Sequence, residues 1–339
     1  MILTISIPTY NRPDKVKNTV SKLIPQLNSD VNILILDNCS EVNVKDHLTK
    51  NVPGFADHEN IKVIRNITNV GPDANFVKCF ENSQAPFTWT LGDDDEVYDN
   101  AVQVILNEIE KYKDYQLAGF NFNCNLVDRT QTILISSIDE LGEKLDFFGN
   151  WVFISTNVYD TQEYLKHIRY ATYTAYSMAS QVVPPMIAIS QNKTFILSKE
   201  YIVRNQPLED VNERWSDIKL NMVLTSILET PVGFGDNFLK FGKKLGELFI
   251  GMGAPMFSII KSVDGNLSLI DSYHLYLYDQ IYYRTYYFRK SRLKAMVAFH
   301  SCKLLLRNKL LMRIAMTLFK STFDRRINGI TKFKLFIRK

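Results

Sequence analysis

The sequence predicts an α/β fold, a sheet of mostly parallel strands covered by helices on both faces, followed by a helical C-terminal region. Three observations carry this. Over residues 1–130, short β-rich runs alternate with helical patterns, which is how parallel strands joined by crossover helices read. The 339 residues are 46% apolar and 22% charged, a globular composition long enough for one large domain or two ordinary ones. Beyond Pro207 the patterning becomes helical throughout.

The strands come first. "ILTISIP" (2–8), "VNILILD" (31–37), "IKVIRN" (61–66), "FTWTL" (87–91) and "QLAGFNF" (116–122) are short runs rich in β-formers. Between the first two, Val16, Val20, Leu23, Ile24 and Leu27 recur at helical spacing after Pro13, which suits a first helical position. Phe76, Val77 and Phe80 mark a shorter helix, and Ala101, Ile105, Ile109 and Tyr112 another. From residue 131 the pattern loosens through "WVFISTNVYDTQEYLKHI" and "YATYTAYSMASQVVPPM" to a strand-like "TFILSKEYIV" (194–203). "WVFISTN" reads equally well as core strand or as part of a site. Then come "IKLNMVLTSILE", "NFLKFGKKLGELFIGM" and the tyrosine-rich "YHLYLYDQIYYRTYYF". The boundary falls near residue 205, giving an α/β domain over 1–205 and a helical region over 206–339.

Composition excludes several classes. Cys39, Cys79, Cys124 and Cys302 are far apart and form no C-x-x-C pair, so neither a disulfide frame nor a zinc site is expected, and a reducing cytosol suits them. The five histidines are scattered. Met1 runs into "ILTISIPTY" without a basic n-region or long apolar h-region, so no signal peptide is expected. No run approaches the roughly 18 apolar residues of a membrane span. The net charge of +4 hides a division: from Arg289 to Lys339 there are 15 Lys or Arg against one acid, Asp324. The preceding 288 residues hold 25 basic and 35 acidic side chains. An acidic body with a basic end points to an anionic partner for that end.

In open α/β sheets, ligands sit beyond the carboxyl ends of the strands. The segments there are "TYNRP", "DNCS", "NVGPDAN" and "GDDDE", all polar and all expected at one crevice. The first-strand loop, "IPTYNRP", contains no glycine, so neither a dinucleotide fingerprint nor a P-loop is present. Phosphate would need another device, and carboxylates with Mg²⁺ or Mn²⁺ provide one. Asp93, Asp94 and Asp95 repel one another at neutral pH, so either a solvated, helix-capping turn or a divalent cation relieves them.

"ISIPTYNRP", "ILDN", "NVGPDANF" and "TLGDDD", in this order and spacing, resemble the family 2 glycosyltransferases of GT-A fold, a mixed Rossmann-like sheet flanked by helices. Within that family the chain is most similar to bacterial enzymes that build O-antigen or capsule sugars, the abequosyltransferase-like branch. The resemblance covers about residues 1–205. It implies that Pro8, Thr9, Tyr10 and Asn11 border the nucleobase, with Arg12 beside them. It implies that Asp37 contacts base or ribose, and that Asn69, Gly71 and Asn75 flank the nucleotide. The usual metal motif, Asp-x-Asp-Asp, aligns with Gly92 at its first position, Asp93 at the variable one and Asp94 as metal ligand. Asp93 or Asp95 must then replace the missing first aspartate, and we take Asp93 for the nucleotide-sugar and Asp94 with Asp95 for Mn²⁺ or Mg²⁺. Asp37 with Asn38 also reads as an Asx turn, Asn69 and Gly71 as turn residues alone, and Arg12 as a surface residue.

The resemblance further implies an inverting, metal-dependent transferase acting on a nucleotide-diphosphosugar donor and a lipid-linked oligosaccharide acceptor. Such an enzyme is expected in the cytoplasm, peripheral on the inner face of the plasma membrane. Transfer needs a base for the acceptor hydroxyl. The family's aspartate is missing in register, since residues 164–198 contain no Asp or Glu. Asp217 and Asp210 are the candidates, with Glu209 and His167 behind them. A non-catalytic sugar-nucleotide or glycan-binding module of the same fold is the rival reading. A nucleic-acid arm fits less well, because "VAFHSCKLLLRNKLLMRIAMTLFKS" alternates apolar and basic blocks in the manner of an interfacial helix on anionic lipid. A basic helix packed on its own acidic body is the plainer alternative.

Overall fold

The computed structural model describes residues 1–124, 127–146, 148–175, 179–204, 254–263, 265–286 and 291–322. Residues Met1–Pro207 form one compact unit and Leu208–Lys339 a second. Asp210, Asp217 and Glu209, the candidate bases, lie outside the described residues.

The first unit is built on β1 (Leu3–Thr9), α1 (Pro13–Leu23), β2 (Val31–Asp37), α2 (Val44–Asn51), β3 (Ile61–Arg65) and α3 (Pro72–Glu81). It continues through β4 (Phe87–Thr90), β5 (Glu96–Val97), α4 (Ala101–Lys111), β6 (Leu117–Asn123), β7 (Ile133–Ile135), α5 (Ile138–Lys144) and α6 (Phe148–Val152). Then come β8 (Asn157–Asp160), α7 (Thr161–Lys166), α8 (Ile168–Tyr173), α9 (Val183–Ser190), β9 (Thr194–Tyr201) and β10 (Val203–Arg204). Among the described residues, eight strands form one sheet in the order β3-β2-β1-β4-β8-β6-β9-β7, and β10 pairs with β5 separately.

The expected sheet is present, and it is mixed. β3, β2, β1 and β4 run parallel, as do β6 and β9. β8 runs antiparallel between β4 and β6, and β7 antiparallel on β9. The period-2 alternation of "LTISIPT" sends Leu3, Ile5 and Ile7 to one face and Thr4 and Ser6 to the other. The first face joins Val31, Ile33 and Ile35 of β2 and Trp89 of β4 in a core closed by Val16, Val20 and Leu23 of α1 and Val102, Ile105 and Ile109 of α4. On the second face Ser6 donates to the Cys79 carbonyl of α3. Phe80 of α3 there stacks on Tyr164 of α7 at 3.5 Å between ring centres.

Two segments differ from expectation. "WVFISTN" contains the end of α6 and a 3₁₀ turn over Ile154–Thr156 before β8 begins, so it is no continuous strand. The 194–203 run breaks at Ile202, after which Val203 and Arg204 leave the main sheet to pair with Val97 and Glu96.

The second unit contains α10 (Ala254–Ser262), α11 (Ser272–Tyr286), α12 (Arg292–Arg307) and α13 (Lys309–Leu318). Their common core includes Ile259, Ile260, Leu277, Ile281, Leu306 and Met312. At its centre Phe299 of α12 stacks on Tyr282 and Tyr278 of α11, with ring centres 3.7 and 5.3 Å apart. No helix among the described residues is long and apolar enough to cross a membrane.

Gly119 of β6 fits its place through lack of a side chain. Its φ is +149°, and a Cβ there would stand 2.5 Å from the Val158 carbonyl oxygen and 2.9 Å from the Tyr159 Cα of β8. Backbone cannot yield as a flexible side chain can, so Gly119→Ala should destabilise the protein by about 3 kcal/mol in urea unfolding. A loss under about 0.5 kcal/mol would show that β6 and β8 do not meet this closely.

Candidate active site

The parallel strands β1, β2, β3 and β4 end on one edge, and their loops meet there as the sequence requires. Asp93, at the end of β4, is the centre. One of its carboxylate oxygens accepts from Thr9 Oγ1 at 2.6 Å and the other from Arg12 Nη1 at 2.8 Å. Its backbone carbonyl accepts from Thr19 Oγ1 of α1 at 3.0 Å. The same Arg12 Nη1 lies 3.0 Å from Asp94 Oδ2. Arg12 is therefore no idle surface residue, but the counter-charge that bridges two members of the acidic run. Burial pushes the Asp93 carboxyl above the usual range, while Thr9 and Arg12 pull it back.

Asp95 finds a different partner. Its Oδ2 accepts from Ser155 Oγ, which itself accepts from the Gly92 N–H at 2.8 Å. Ser155 belongs to the 3₁₀ turn after α6, which Trp89 Nε1 ties to β4 by donating to the Ser155 carbonyl at 2.8 Å. Burial, with Asp94 and Asp93 adding like charge, pushes the Asp95 carboxyl up to about 7 against the opposing Ser155 hydrogen bond. A Cβ on Gly92 would overlap Asp95 Oδ2 and stand 3.3 Å from Ser155 Oγ. The Asp95 carboxylate thus fills the space that a side chain at position 92 would take, which explains the glycine at the first place of the motif.

Asp94 is the exposed member of the run. Among the described residues no group of three or more His, Cys, Asp or Glu surrounds a common point. The donor set fits an ion held by one carboxylate and completed by water and phosphate oxygens, as Mg²⁺ and Mn²⁺ often are. Asp94 would hold it, with Asp93 engaged behind and Asp95 turned toward Ser155.

The loops after β1 and β2 are joined through Asn11, whose left-handed φ of 53° an asparagine tolerates. Its N–H donates to Ser40 Oγ at 2.9 Å and its Oδ1 accepts from the Glu41 N–H at 2.8 Å. Pro8 lies in β1, and Tyr10 stands exposed at the rim. Asp37 is 1% exposed, and its oxygens accept from the Ser40 N–H at 2.9 Å and Arg65 Nη1 at 3.0 Å. The side chain bonds the backbone three residues on, not two as an Asx turn would, and Asp37 anchors the turn after β2 with its charge met by Arg65.

The third loop rests on amides. Asn38 Nδ2 donates to Asn69 Oδ1 at 2.8 Å and to the Gly71 carbonyl at 3.2 Å, and its Oδ1 accepts from the Val70 N–H. Asn66 Nδ2 donates to Asn38 Oδ1 and Asn75 Oδ1, and Asn75 Nδ2 to the Leu36 carbonyl of β2. Gly71 turns with φ +86° into α3. Asn69, Gly71 and Asn75 therefore shape the loop; Asn38 reads in the sequence only as part of a turn, and Asn66, Ser155 and Thr19 escaped the sequence reading of the site. Ser155 lay in "WVFISTN", where a hydroxyl beside β-formers carries no signal of its partner 60 residues away in sequence.

His167 ends α7 near Glu163, whose helix starts at the amino-end edge of β4. That is the opposite edge of the sheet from Asp93, so His167 is no base for this site. Past β6, a buried Arg129 grips both oxygens of Asp146 at 2.6 and 3.1 Å and donates to the Asn121 and Ser198 carbonyls. Its donors are occupied within the fold, which marks it as a clamp on the ends of β6 and β9.

The site is thus an acidic run clamped at the carboxyl edge of a mixed sheet. The profile of glycosyl transferase family 2 matches residues 4–180, more than half of the chain, and the chain belongs to that family. Abequosyltransferase RfbV of Salmonella typhimurium (strain LT2) is 26% identical over 133 residues, covering 38% of this chain and 39% of RfbV. An uncharacterized glycosyltransferase of Haemophilus influenzae is 25% identical over 138 residues, covering 41% of this chain and 45% of its own. The chain thus matches less than half the length of either relative. The S. aureus TarS fragment 1–349 in complex with UDP superposes with a TM-score of 0.58 at 13% identity, covering 91% of both chains. Mannosyltransferase PcManGT from Pyrobaculum calidifontis, in complex with GDP-Man and Mn²⁺, superposes with a TM-score of 0.50 at 9% identity, covering 96% of this chain and 86% of its own. At those identities the likeness is one of fold, and the fold is GT-A.

Two measurements check the geometry around Asp95. Gly92→Ala should displace the carboxylate from Ser155 and cost about 2 kcal/mol in urea unfolding. On an Asp95→Ala background the same change should be nearly neutral, and additive costs would refute the shared space. The second is pH dependence. Because the folded Asp95 pKa lies above its unfolded value, its contribution is full below about 4 and is lost as pH rises through about 7. Asp95→Asn should flatten that part of the melting-temperature profile of the ligand-free protein.

Proposed function

We propose that the protein is an inverting, metal-dependent glycosyltransferase. It moves a sugar from a nucleotide-diphosphosugar to a lipid-linked surface-polysaccharide acceptor of the O-antigen or capsule kind, working at the inner face of the plasma membrane. The observation that carries the reading is the Asp93–Asp94 pair bridged by Arg12 at the carboxyl edge of the parallel strands. Names of relatives support it: RfbV is an abequosyltransferase, TarS structures are complexes with UDP and with UDP-GlcNAc, and the PcManGT structure is a complex with GDP-Man and Mn²⁺.

The residues divide the work as follows. The exposed Tyr10 ring offers a stacking face for the nucleobase at the rim. The loop braced by Asn38, Asn69 and Gly71 walls the nucleotide from the β3 side. Asp94 holds the divalent ion, which when bound supplies Lewis-acid stabilisation to the departing diphosphate. Arg12 keeps a positive charge beside that point, and Thr9 fixes Asp93 so that the clamp does not drift. Asp217, or failing it Asp210, takes the proton from the acceptor hydroxyl on the face opposite the leaving group.

Nucleotide release from a panel of sugar nucleotides, with Mn²⁺ and with EDTA, tests the reading. One donor should be turned over in an acceptor-dependent way, EDTA should abolish it, and Asp94→Ala should lower it by about 10²-fold or more. Asp217→Asn should lower turnover by about 10²-fold or more with donor binding near wild type. Metal-dependent binding without turnover of any donor would favour the non-catalytic module, and turnover indifferent to EDTA would remove the metal from the scheme.

A further inference from the structure

Helices α12 and α13 each carry two apolar stripes, and among the described residues only one of each packs into the helical core. On α12, Ala295, Phe299 and Leu306 enter the helical core. Leu293, Val297 and Leu304 recur at helical spacing about 180° away at 100° per residue. On α13, Met312 is buried, whereas Leu310, Ile314 and Leu318 follow one another on the far side. These six outward residues are 46% to 71% exposed. Asn308 ends α12 and caps α13, its Oδ1 accepting from the Leu311 N–H at 3.0 Å, so the two stripes are joined by a single residue.

The charge pattern selects the occupant. Between Arg292 and Lys320 lie seven Lys or Arg and no Asp or Glu. Lys294, Arg307 and Arg313 are exposed on the two helices. A second copy of the chain seated on these stripes would bring cations against cations. An anionic bilayer meets both features, taking the apolar side chains into the headgroup boundary and the cations onto its phosphates. We propose that the outward stripes of α12 and α13 form a docking face for an anionic lipid surface. This deepens the reading of a lipid-borne acceptor by naming the surface that brings the enzyme to it. Deleting the basic end would not test it, because removing α12 would take Phe299 from its stack on Tyr282 and open the helical core.

Flotation of the full chain with phosphatidylcholine vesicles, with and without phosphatidylglycerol, tests the proposal. The wild type should partition at least about tenfold more onto the anionic vesicles, with the excess declining in salt. The triple variant Leu310→Ser, Ile314→Ser, Leu318→Ser should lose on the order of 10²-fold of that partitioning. So should Leu293→Ser, Val297→Ser, Leu304→Ser. The double variant Lys294→Glu, Arg313→Glu leaves every apolar residue in place and should also lose binding, which decides the matter if a triple variant melts early by circular dichroism. Flotation unchanged in these variants overturns the proposal. So does a wild type that ignores vesicles but forms a dimer, by light scattering, that the triple variants dissociate. Nucleotide release in solution should match wild type in all three variants, so a failure here leaves the transferase reading standing.

Discussion

Three successive carboxylates at the end of β4 must be neutralised, and the way this is done organises the site. The protein distributes the task instead of collecting it at one point. Arg12 bridges Asp93 and Asp94, Thr9 donates to Asp93, and Ser155 donates to Asp95. The partners come from two distant parts of the chain, the end of β1 with its loop and the turn before β8, so satisfying the charges also fixes the geometry. The loop after β1 cannot leave the loop after β4 without breaking the Arg12–Asp93 ion pair and leaving the buried Asp93 carboxylate without its cation. Thr19 adds the start of the crossover, binding the Asp93 carbonyl from α1. The exposed Asp94 is left as the group with room to exchange partners, which is what a site for a divalent ion and a diphosphate requires.

The neighbouring loops are stiffened by neutral groups. Strand ends leave backbone donors and acceptors unpaired, and these must find partners if the loops are to hold one shape. Asn38, Asn66, Asn69 and Asn75 each offer a donor and an acceptor without a charge to compensate. Their chain of contacts runs from the Leu36 carbonyl of β2 to the Gly71 turn before α3. The buried Asp37 carboxylate is matched by Arg65. The three adjacent carboxylates stand at the β4 end of the crevice, and on the β2 and β3 side the amide network, joined by Lys78 through Asn66, shapes the wall.

The helical unit shows the same economy in apolar terms. A helix buries one stripe easily, and α12 and α13 do so around Phe299, with Lys303 held at 2.6 Å from Asp279. Their second stripe is exposed. A contiguous exposed apolar face marks an interaction site, and the basic residues beside it are the ground for proposing an anionic one.

Much of this protein was legible from local pattern. Period-2 runs located β1, β2, β3, β4 and β6 to within two residues, and helical spacing located α1, α3 and α4, because backbone conformation is set by near neighbours. The loops that converge on the site followed from strand direction. What the chain alone left open was everything that depends on distant partners. β7 and β8 are three and four residues long, too short for periodicity, and exist because β9, β4 and β6 offer edges to pair with. α9, buried on all sides, shows no amphipathic pattern to read. "GDDD" announced a charge problem, but its relief came from Arg12, 81 positions away, and Ser155, 60 positions away. Gly92 read as a missing aspartate until the Asp95 carboxylate was found in its place. A sequence displays which charges and apolar faces need partners; only the tertiary structure decides which partner arrives, because electrostatic and steric satisfaction depend on distance in space and not along the chain.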